Sequence, residues 1–279
     1  MSQTPLILGH RGASAVAPEN TLAAFSRAIL DGAGGIEFDV RLSRDGVPVV
    51  IHDASLRRTA GIDAQVGDLT SEQLQTIDVG SWFKRASTGS RGHSLEPPYA
   101  GEKIPTLAQV FELFNSNNGY LYVEMKPDSG EGAELAAAVV KSVREADLAT
   151  RVVVESFDLT AITEIKRIDS GIRTAALFEP RLSRPISTVR RLKMIDLALN
   201  TGAEEIAIHY ALVGASVVEK AQEHGLETVI WTVDDPKWIN RARRLGVKAL
   251  ISNDPALMLL HRNAGKASQS QDDPQNDTK

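Results

Sequence analysis

The sequence contains no cysteine among its 279 residues. Disulfides, thiolate metal ligands and a cysteine nucleophile are therefore excluded. Basic side chains are also in deficit, and the formal net charge at pH 7 is −5. Because a polyanion would meet a surface of like charge, nucleic acid is not expected as a partner.

Long apolar runs are missing as well. No stretch approaches the roughly 20 apolar residues that a membrane span requires. The first residues, MSQTPLIL, lack the charged and apolar regions of a signal peptide. The hydrophobic content of 42% is nevertheless that of a folded chain with a large core. We therefore expect a soluble, cytoplasmic protein without a membrane span.

Short β-branched runs alternate with amphipathic helical patterns along most of the chain. Eight such runs occur, at 6–10, 35–40, 120–125, 152–156, 173–178, 205–209, 228–232 and 249–252. Eight strand–helix units in a chain of this length predict a single (β/α)8 TIM barrel over residues 1–263. An open, doubly wound sheet is the alternative fold. The polar end of the chain, residues 264–279, is predicted to be disordered.

One segment departs from this alternation. IEFDVRLSRDGVPVVIHD holds two extended runs around an Asp-Gly pair, which favours a tight hairpin. The chain should thus leave the second strand, turn, and bring His52 back to the barrel mouth. Residues 54–103 are predicted to form a small insertion on the barrel rim, with a short helix near 72–77. We expect three aromatic residues of this insertion to wall the pocket: Trp82, Phe83 and Tyr99.

Ionisable side chains are concentrated at the carboxyl ends of the predicted strands, where barrel enzymes place their catalytic groups. Glu37 and Asp39 are two positions apart and so share one strand face. The same spacing aligns Glu124 with Lys126. Three carboxylates from two strands offer oxygen donors suited to Mg²⁺ or Ca²⁺. The structural alternative is that each acid only forms an ion pair with a neighbouring Arg or Lys.

Further ionisable groups occupy the same predicted edge. His10 and Arg11 follow the first strand, and Glu155 and His209 end two later strands. A buried structural histidine would explain His10 equally well if it stood alone. The presence of all these groups at one end of one barrel favours a catalytic site.

A series of motifs runs from about Ile7 to Pro255: HRG, PENTLAAF, IEFDVRLSRDG, PVVIHD, IPTL, VEMKP, WTV and ISNDP. In order and spacing they resemble the glycerophosphodiester phosphodiesterase family, above all its short bacterial cytoplasmic members. The resemblance implies a TIM-barrel enzyme that uses a divalent metal, Mg²⁺ or Ca²⁺. Such an enzyme hydrolyses a small-molecule glycerophosphodiester to glycerol 3-phosphate and an alcohol.

The resemblance also implies roles for individual residues. The catalytic acid–base pair is matched by His10 and His52. The metal ligands are matched by Glu37, Asp39 and Glu124. The substrate-binding positions are matched by Arg11 and Lys126, which hold the phosphate, by Asn20, which braces the site, and by Trp231, which lines the pocket. Histidine suits its role because it can give or take a proton near neutral pH.

The chain departs from the family pattern at two places. Asp234 follows WTV where Asn is frequent, and Asn253-Asp254 stands where Thr-Asp is frequent. We expect these departures to affect substrate preference without touching the acid–base or metal groups. Three alternative functions remain at this point: a lysophospholipid or sphingolipid lyase on the same barrel, a non-catalytic phosphate-binding protein, and an aldolase that uses Lys126.

Overall fold

The computed structural model describes residues 4–83, 99–180 and 188–269, and the side chains within them except those of 188–191 and 265–269. The strands are β1 (Leu6–His10), β2 (Gly35–Leu42), β3 (Pro48–Val50), β4 (Tyr120–Met125), β5 (Val152–Ser156), β6 (Arg173–Phe178), β7 (Glu205–His209), β8 (Glu227–Trp231) and β9 (Ala249–Ser252). The helices are α1 (Leu22–Leu30), α2 (Arg57–Ala60), α3 (Ser71–Leu74), α4 (Leu107–Phe114), α5 (Gly132–Glu145), α6 (Leu159–Ile168), α7 (Thr188–Asn200), α8 (Ala215–Glu223), α9 (Lys237–Leu245) and α10 (Pro255–Gln269).

All the strands except β3 form a closed parallel barrel. Their order around the sheet is β1-β9-β8-β7-β6-β5-β4-β2, and β1 pairs with β2 to complete the circle. In that closing pair, Leu8 lies opposite Gly35 and His10 opposite Glu37. The predicted (β/α)8 barrel is confirmed, and the open-sheet alternative is excluded because the described barrel has no unpaired edge.

The predicted hairpin is also present. β3 pairs antiparallel with the end of β2, with Val40 opposite Val50. The turn between them contains Gly46 at a φ of 75°, a left-handed conformation that glycine adopts without strain. The returning strand therefore leaves His52 and Asp53 at the carboxyl end of the barrel.

The insertion has a small core of its own. Its buried cluster includes Leu56, Val66 and Leu74, which pack beneath Val49 and Ile51. The short helix predicted near 72–77 is α3, which begins with a capping box at Thr70 and ends at Leu74. Residues 84–98 of the predicted insertion lie outside the described residues.

Mainly apolar side chains that point inward fill the barrel interior. They form one cluster around Leu8, Tyr122 and Val153, whereas the helices pack on two separate clusters outside the sheet. α10 continues through Gln269, so it includes the start of the segment predicted to be disordered, and the rest of that segment lies outside the described residues. Within the described ranges, every helix is too short or too polar to cross a bilayer.

Candidate active site

A cavity of about 500 Å³ opens at the carboxyl ends of the barrel strands. Seven of the residues predicted for the site line it: His10, Arg11, Glu37, His52, Glu124, Lys126 and Trp231. Asp39 and Asn20 are buried beside it, with 0% and 4% of their surface exposed. The described part of the rim insertion does not line this cavity, so the predicted wall of Trp82, Phe83 and Tyr99 is not found there.

The backbone after β1 forms a turn that places Arg11 at this cavity. Arg11 and Asn20 both have left-handed φ values, 53° and 59°, and Asn20 N donates to Arg11 O at 3.1 Å. This turn aims Arg11 N at Glu37 Oε2, 3.1 Å away. Gly12 must be glycine, because a Cβ there would lie 2.7 Å from the carbonyl oxygen of Ala24 on α1. The HRG motif thus combines a strained turn with close packing of a helix.

Three buried carboxylates form a compact cluster at the ends of β2 and β4. Each of Glu37, Asp39 and Glu124 offers one oxygen, and these oxygens lie within 4.8 Å of one another. Asn20 Nδ2 donates to Asp39 Oδ2 at 2.8 Å, which supports the predicted bracing role. Lys126 Nζ donates to Glu124 Oε1 at 2.6 Å and lies 3.3 Å from Asp39 Oδ1. That Asp39 oxygen is buried and has no hydrogen-bond partner among the described residues.

The electrostatics of the cluster favour a bound cation. Burial and the charges of Asp39 and Glu124 raise the pKa of Glu37 well above its usual range. Burial and Asp39 likewise raise the pKa of Glu124 to about 8. Burial alone would raise the pKa of Asp39 too, but Arg11 and Lys126 outweigh it and hold that pKa below its usual range. Crowded oxygen donors whose ionisation is opposed by burial are the donor set that a hard divalent cation stabilises.

His10 is held by a contact from the far end of the chain. Its Nδ1 lies 2.6 Å from Asn253 Oδ1, and Asn253 Nδ2 donates to Asp234 Oδ2 at 2.7 Å. Since Asp234 accepts from the amide nitrogen, the amide oxygen must face His10, and His10 Nδ1 must be the donor. Its Nε2 then carries the lone pair, 3.8 Å from Glu37. We expected the two departures from the family pattern to leave the acid–base groups untouched. That expectation is wrong, because Asn253 bonds to His10 directly and Asp234 holds Asn253 in place.

His52 is held by a different partner. Its Nδ1 lies 2.6 Å from Asp53 Oδ1, and Arg58 Nε donates to Asp53 Oδ2 at 2.6 Å. Arg58 also binds both oxygens of Glu19, at 2.7 and 2.8 Å, and Glu19 accepts from Arg11 Nη1 at 2.8 Å. A continuous chain of ion pairs therefore joins the hairpin, the rim insertion and the HRG turn.

The opposite wall of the cavity is formed by β5, β6 and β8. Trp231 lines it as predicted and makes edge contacts with Phe157 and His209, at 5.5 and 5.3 Å between ring centroids. Glu155 and Phe157 also line the cavity. In the sequence, Glu155 is marked only by its place at a strand end, and no signal marks Phe157.

Comparisons with known proteins agree with this geometry. A model of the glycerophosphoryl diester phosphodiesterase family matches residues 10–257. The chain belongs to that family. The predicted family, fold and enzyme class are thereby confirmed: the protein is an enzyme of this phosphodiesterase family.

Relatives of known name or structure span nearly the whole chain. A glycerophosphodiester phosphodiesterase from Caldanaerobacter subterraneus is 31% identical over 254 residues, which cover 91% of this chain and 96% of that one. A phosphodiesterase from Oleispira antarctica, solved in complex with the product sn-glycerol-3-phosphate, matches with a TM-score of 0.78 and 27% identity over 93% of this chain and 97% of that one. A glycerophosphodiester phosphodiesterase from Agrobacterium tumefaciens matches with a TM-score of 0.72 and 27% identity over 92% and 99%.

Proposed function

We propose that the protein hydrolyses glycerophosphodiesters to glycerol 3-phosphate and an alcohol, with a divalent metal and two-histidine acid–base catalysis. The observation that carries the proposal is the pair of imidazoles on one cavity, His10 and His52. Each has its Nδ1 engaged outside the cavity, which leaves Nε2 for the substrate. A protein that only binds phosphate has no need of two such groups. A cytoplasmic location and the absence of a nucleic-acid partner remain predictions.

The metal would be held by Glu37, Asp39 and Glu124, the buried cluster of oxygen donors. Mg²⁺ and Ca²⁺ both suit carboxylate ligands, and the chain has no thiol to favour a softer metal. When bound, such an ion supplies positive charge that stabilises the negative charge developing on the substrate oxygens.

Arg11 and Lys126 would hold the phosphate. Both are cations that line the cavity beside the acid cluster. Burial lowers the pKa of Lys126, but Asp39 and Glu124 outweigh it, and the pKa is raised overall. A lysine that keeps its proton can bind a phosphate but cannot act as a nucleophilic amine, which argues against the aldolase alternative.

The two histidines differ in a way that suggests their roles. His52 faces the Asp53 carboxylate, which favours the protonated imidazole, whereas His10 faces a neutral amide. We therefore assign the general base to His10 and the general acid to His52. His52 follows the hairpin on the rim, where a departing alcohol would leave the barrel, and His10 lies deeper, beside Glu37.

The nucleophile is proposed to be the 2-hydroxyl of the substrate glycerol. Because this hydroxyl is tethered to the phosphate, its orientation and prepaid entropy can contribute roughly 7–11 kcal/mol. His10 takes its proton, the oxygen attacks phosphorus, and the bond from phosphorus to the alcohol breaks. His52 protonates the alcohol. Water then attacks the cyclic 1,2-phosphate and gives a proton to His52, while the bond from phosphorus to the 2-oxygen breaks and His10 returns its proton to that oxygen, which yields glycerol 3-phosphate.

Release of glycerol 3-phosphate from several glycerophosphodiesters, with and without added Mg²⁺ or Ca²⁺, tests this function. We expect turnover that disappears on chelation and returns with metal. A substrate without the 2-hydroxyl should bind but turn over orders of magnitude more slowly. Comparable hydrolysis of that analogue would leave water as the nucleophile. Faster cleavage of lysolipids, with a cyclic phosphate as the final product, would favour the lyase alternative.

A further inference from the structure

Glu155 is a buried carboxyl without a compensating partner. It ends β5, only 1% of its surface is exposed, and its Oε2 is buried without a hydrogen-bond partner among the described residues. No Lys, Arg or His of the described chain forms an ion pair with it. A carboxyl taken out of water in this way costs free energy unless something binds it.

A second buried carboxyl in the same barrel is stabilised by hydrogen bonds from other side chains. Glu205 on β7 is 0% exposed, and it accepts hydrogen bonds from Tyr122 Oη at 2.8 Å and Lys248 Nζ at 2.7 Å. Arg173 Nη2 adds a third at 3.1 Å. Glu205 is thus fully engaged within the protein. Glu155 differs because it lines the active-site cavity, where a substrate can reach it.

Glu155 lies next to the metal cluster but is not one of its members. In the β4–β5 pairing Glu155 is opposite Glu124. The compact group of oxygens within 4.8 Å nevertheless comprises only Glu37, Asp39 and Glu124 among the described residues. Glu155 is thus buried beside other carboxylates, and no hydrogen bond within the described residues stabilises its Oε2. A direct role in holding the substrate would account for it.

The floor of the cavity differs from its mouth. Leu177 and Ile251 line it with 4% and 1% exposure, whereas Phe157 on the same wall is 39% exposed. The glycerol half is common to all glycerophosphodiesters, so it suits the enclosed floor, and the variable alcohol suits the open mouth. At the floor, Leu177 and Ile251 offer contacts for the glycerol carbons, and Glu155, with 1% of its surface exposed, offers a carboxyl in the same cavity.

We infer that the Glu155 carboxyl accepts a hydrogen bond from the terminal hydroxyl of glycerol and thereby selects the glycerol half of the substrate. The inference rests on the proposed function, in which the 2-hydroxyl of glycerol is already engaged as the nucleophile. The terminal hydroxyl is then the remaining donor of that half. When a ligand lacks the terminal hydroxyl, the buried carboxyl is left without a hydrogen-bond partner. An analogue without that hydroxyl should therefore bind poorly.

The test compares two ligands by calorimetry with Ca²⁺ present: glycerol 3-phosphate and 2-hydroxypropyl phosphate, which keeps the 2-hydroxyl and lacks only the terminal one. The wild-type protein should bind the first about 10- to 100-fold more tightly. In Glu155→Met the two affinities should become nearly equal, whereas Glu155→Gln, which keeps an acceptor oxygen, should preserve part of the difference. Glu179→Gln removes an exposed carboxylate from the same cavity and should leave the ratio unchanged.

Ca²⁺ affinity and hydrolysis, measured on the same proteins, separate the possible failures. Equal wild-type affinities for the two ligands would overturn the inference even if the diesters are hydrolysed. An unchanged ratio in Glu155→Met, together with Ca²⁺ binding weakened tenfold or more, would make Glu155 a metal ligand and also overturn it. The wild-type protein could also prefer glycerol 3-phosphate and lose this preference in Glu155→Met, yet hydrolyse no glycerophosphodiester. That result would support the inference and contradict the proposed function.

Discussion

Replacement of Asp53 by Asn should disable His52 although it removes no atoms from the cavity. In the wild-type protein the Asp53 carboxylate accepts from His52 on one oxygen and from Arg58 on the other, each at 2.6 Å. Arg58 and His52 together outweigh burial and hold the pKa of Asp53 at about 2, so it is ionised at any working pH. An amide in its place has one oxygen, and Arg58 can only donate to that oxygen. The NH₂ group must then face His52 Nδ1, where it opposes the second proton that the imidazolium of a general acid carries.

The size of the loss follows from these contacts. A hydrogen bond to a charged group contributes about 1.5–3 kcal/mol. Because Arg58 is 42% exposed, we take the lower value for the preference of the amide for the orientation that Arg58 selects, which is about 1.5 kcal/mol or tenfold. Loss of the carboxylate that stabilises the imidazolium adds about the same. We therefore expect kcat to fall about 100-fold, within the usual contribution of a positioned general acid.

The assay is release of glycerol 3-phosphate at saturating substrate across a range of pH. The Asp53 carboxylate raises the pKa of His52, although burial lowers it overall, so the amide should lower that pKa further. Because a general acid works in its protonated form, activity is lost as pH rises through this pKa. The alkaline limb of the profile should consequently move to lower pH in Asp53→Asn.

Two further variants make the interpretation testable. In an Arg58→Met background the amide oxygen is free to turn toward His52, so Asp53→Asn should cost only about tenfold there. Asp128→Asn removes a carboxylate that pairs with Arg41 at 3.0 Å and bonds to neither catalytic imidazole, and it should change kcat less than twofold. If Asp53→Asn keeps kcat within twofold of the wild type, or leaves the alkaline limb in place, Asp53 does not position His52.

Three other outcomes are expected. His10→Ala and His52→Ala should each lower kcat by about 10²–10⁴-fold, and the double variant should be little worse than either, because the two act as a unit; near-normal turnover in one of them would return that residue to a structural role. Glu37→Gln should fold normally yet bind Ca²⁺ at least about tenfold more weakly by calorimetry, since it removes a ligand charge and no core volume; unchanged Ca²⁺ affinity would contradict the assigned ligand set. Glu155→Met should melt at or above the wild-type temperature by circular dichroism, because an apolar side chain replaces a buried, uncompensated carboxyl; a clear drop would mean that Glu155 supports the fold.

The amino-acid sequence by itself determined the features that depend on short-range spacing. The alternation of β-branched runs with amphipathic segments predicted the barrel strands to within a few residues, because a buried parallel strand needs a short apolar run. The Asp-Gly pair predicted the hairpin for an equally local reason. The two-residue spacing of Glu37 and Asp39 placed both side chains on one strand face, which gave two of the three acids of the cluster.

Only the tertiary structure decided which partners surround the reactive groups. Asn253 reaches His10 across 243 residues, because β9 pairs with β1 when the barrel closes. Arg58 reaches Glu19, 39 residues earlier, because the rim insertion packs against the turn that follows β1. Whether the buried Glu155 carboxyl has a hydrogen-bond partner depends on every neighbour that closure of the barrel brings around it. The spacing of residues within one strand does not predict those neighbours. Contacts of this kind arise from strand register and loop packing between distant segments, so they become visible only once the barrel is closed.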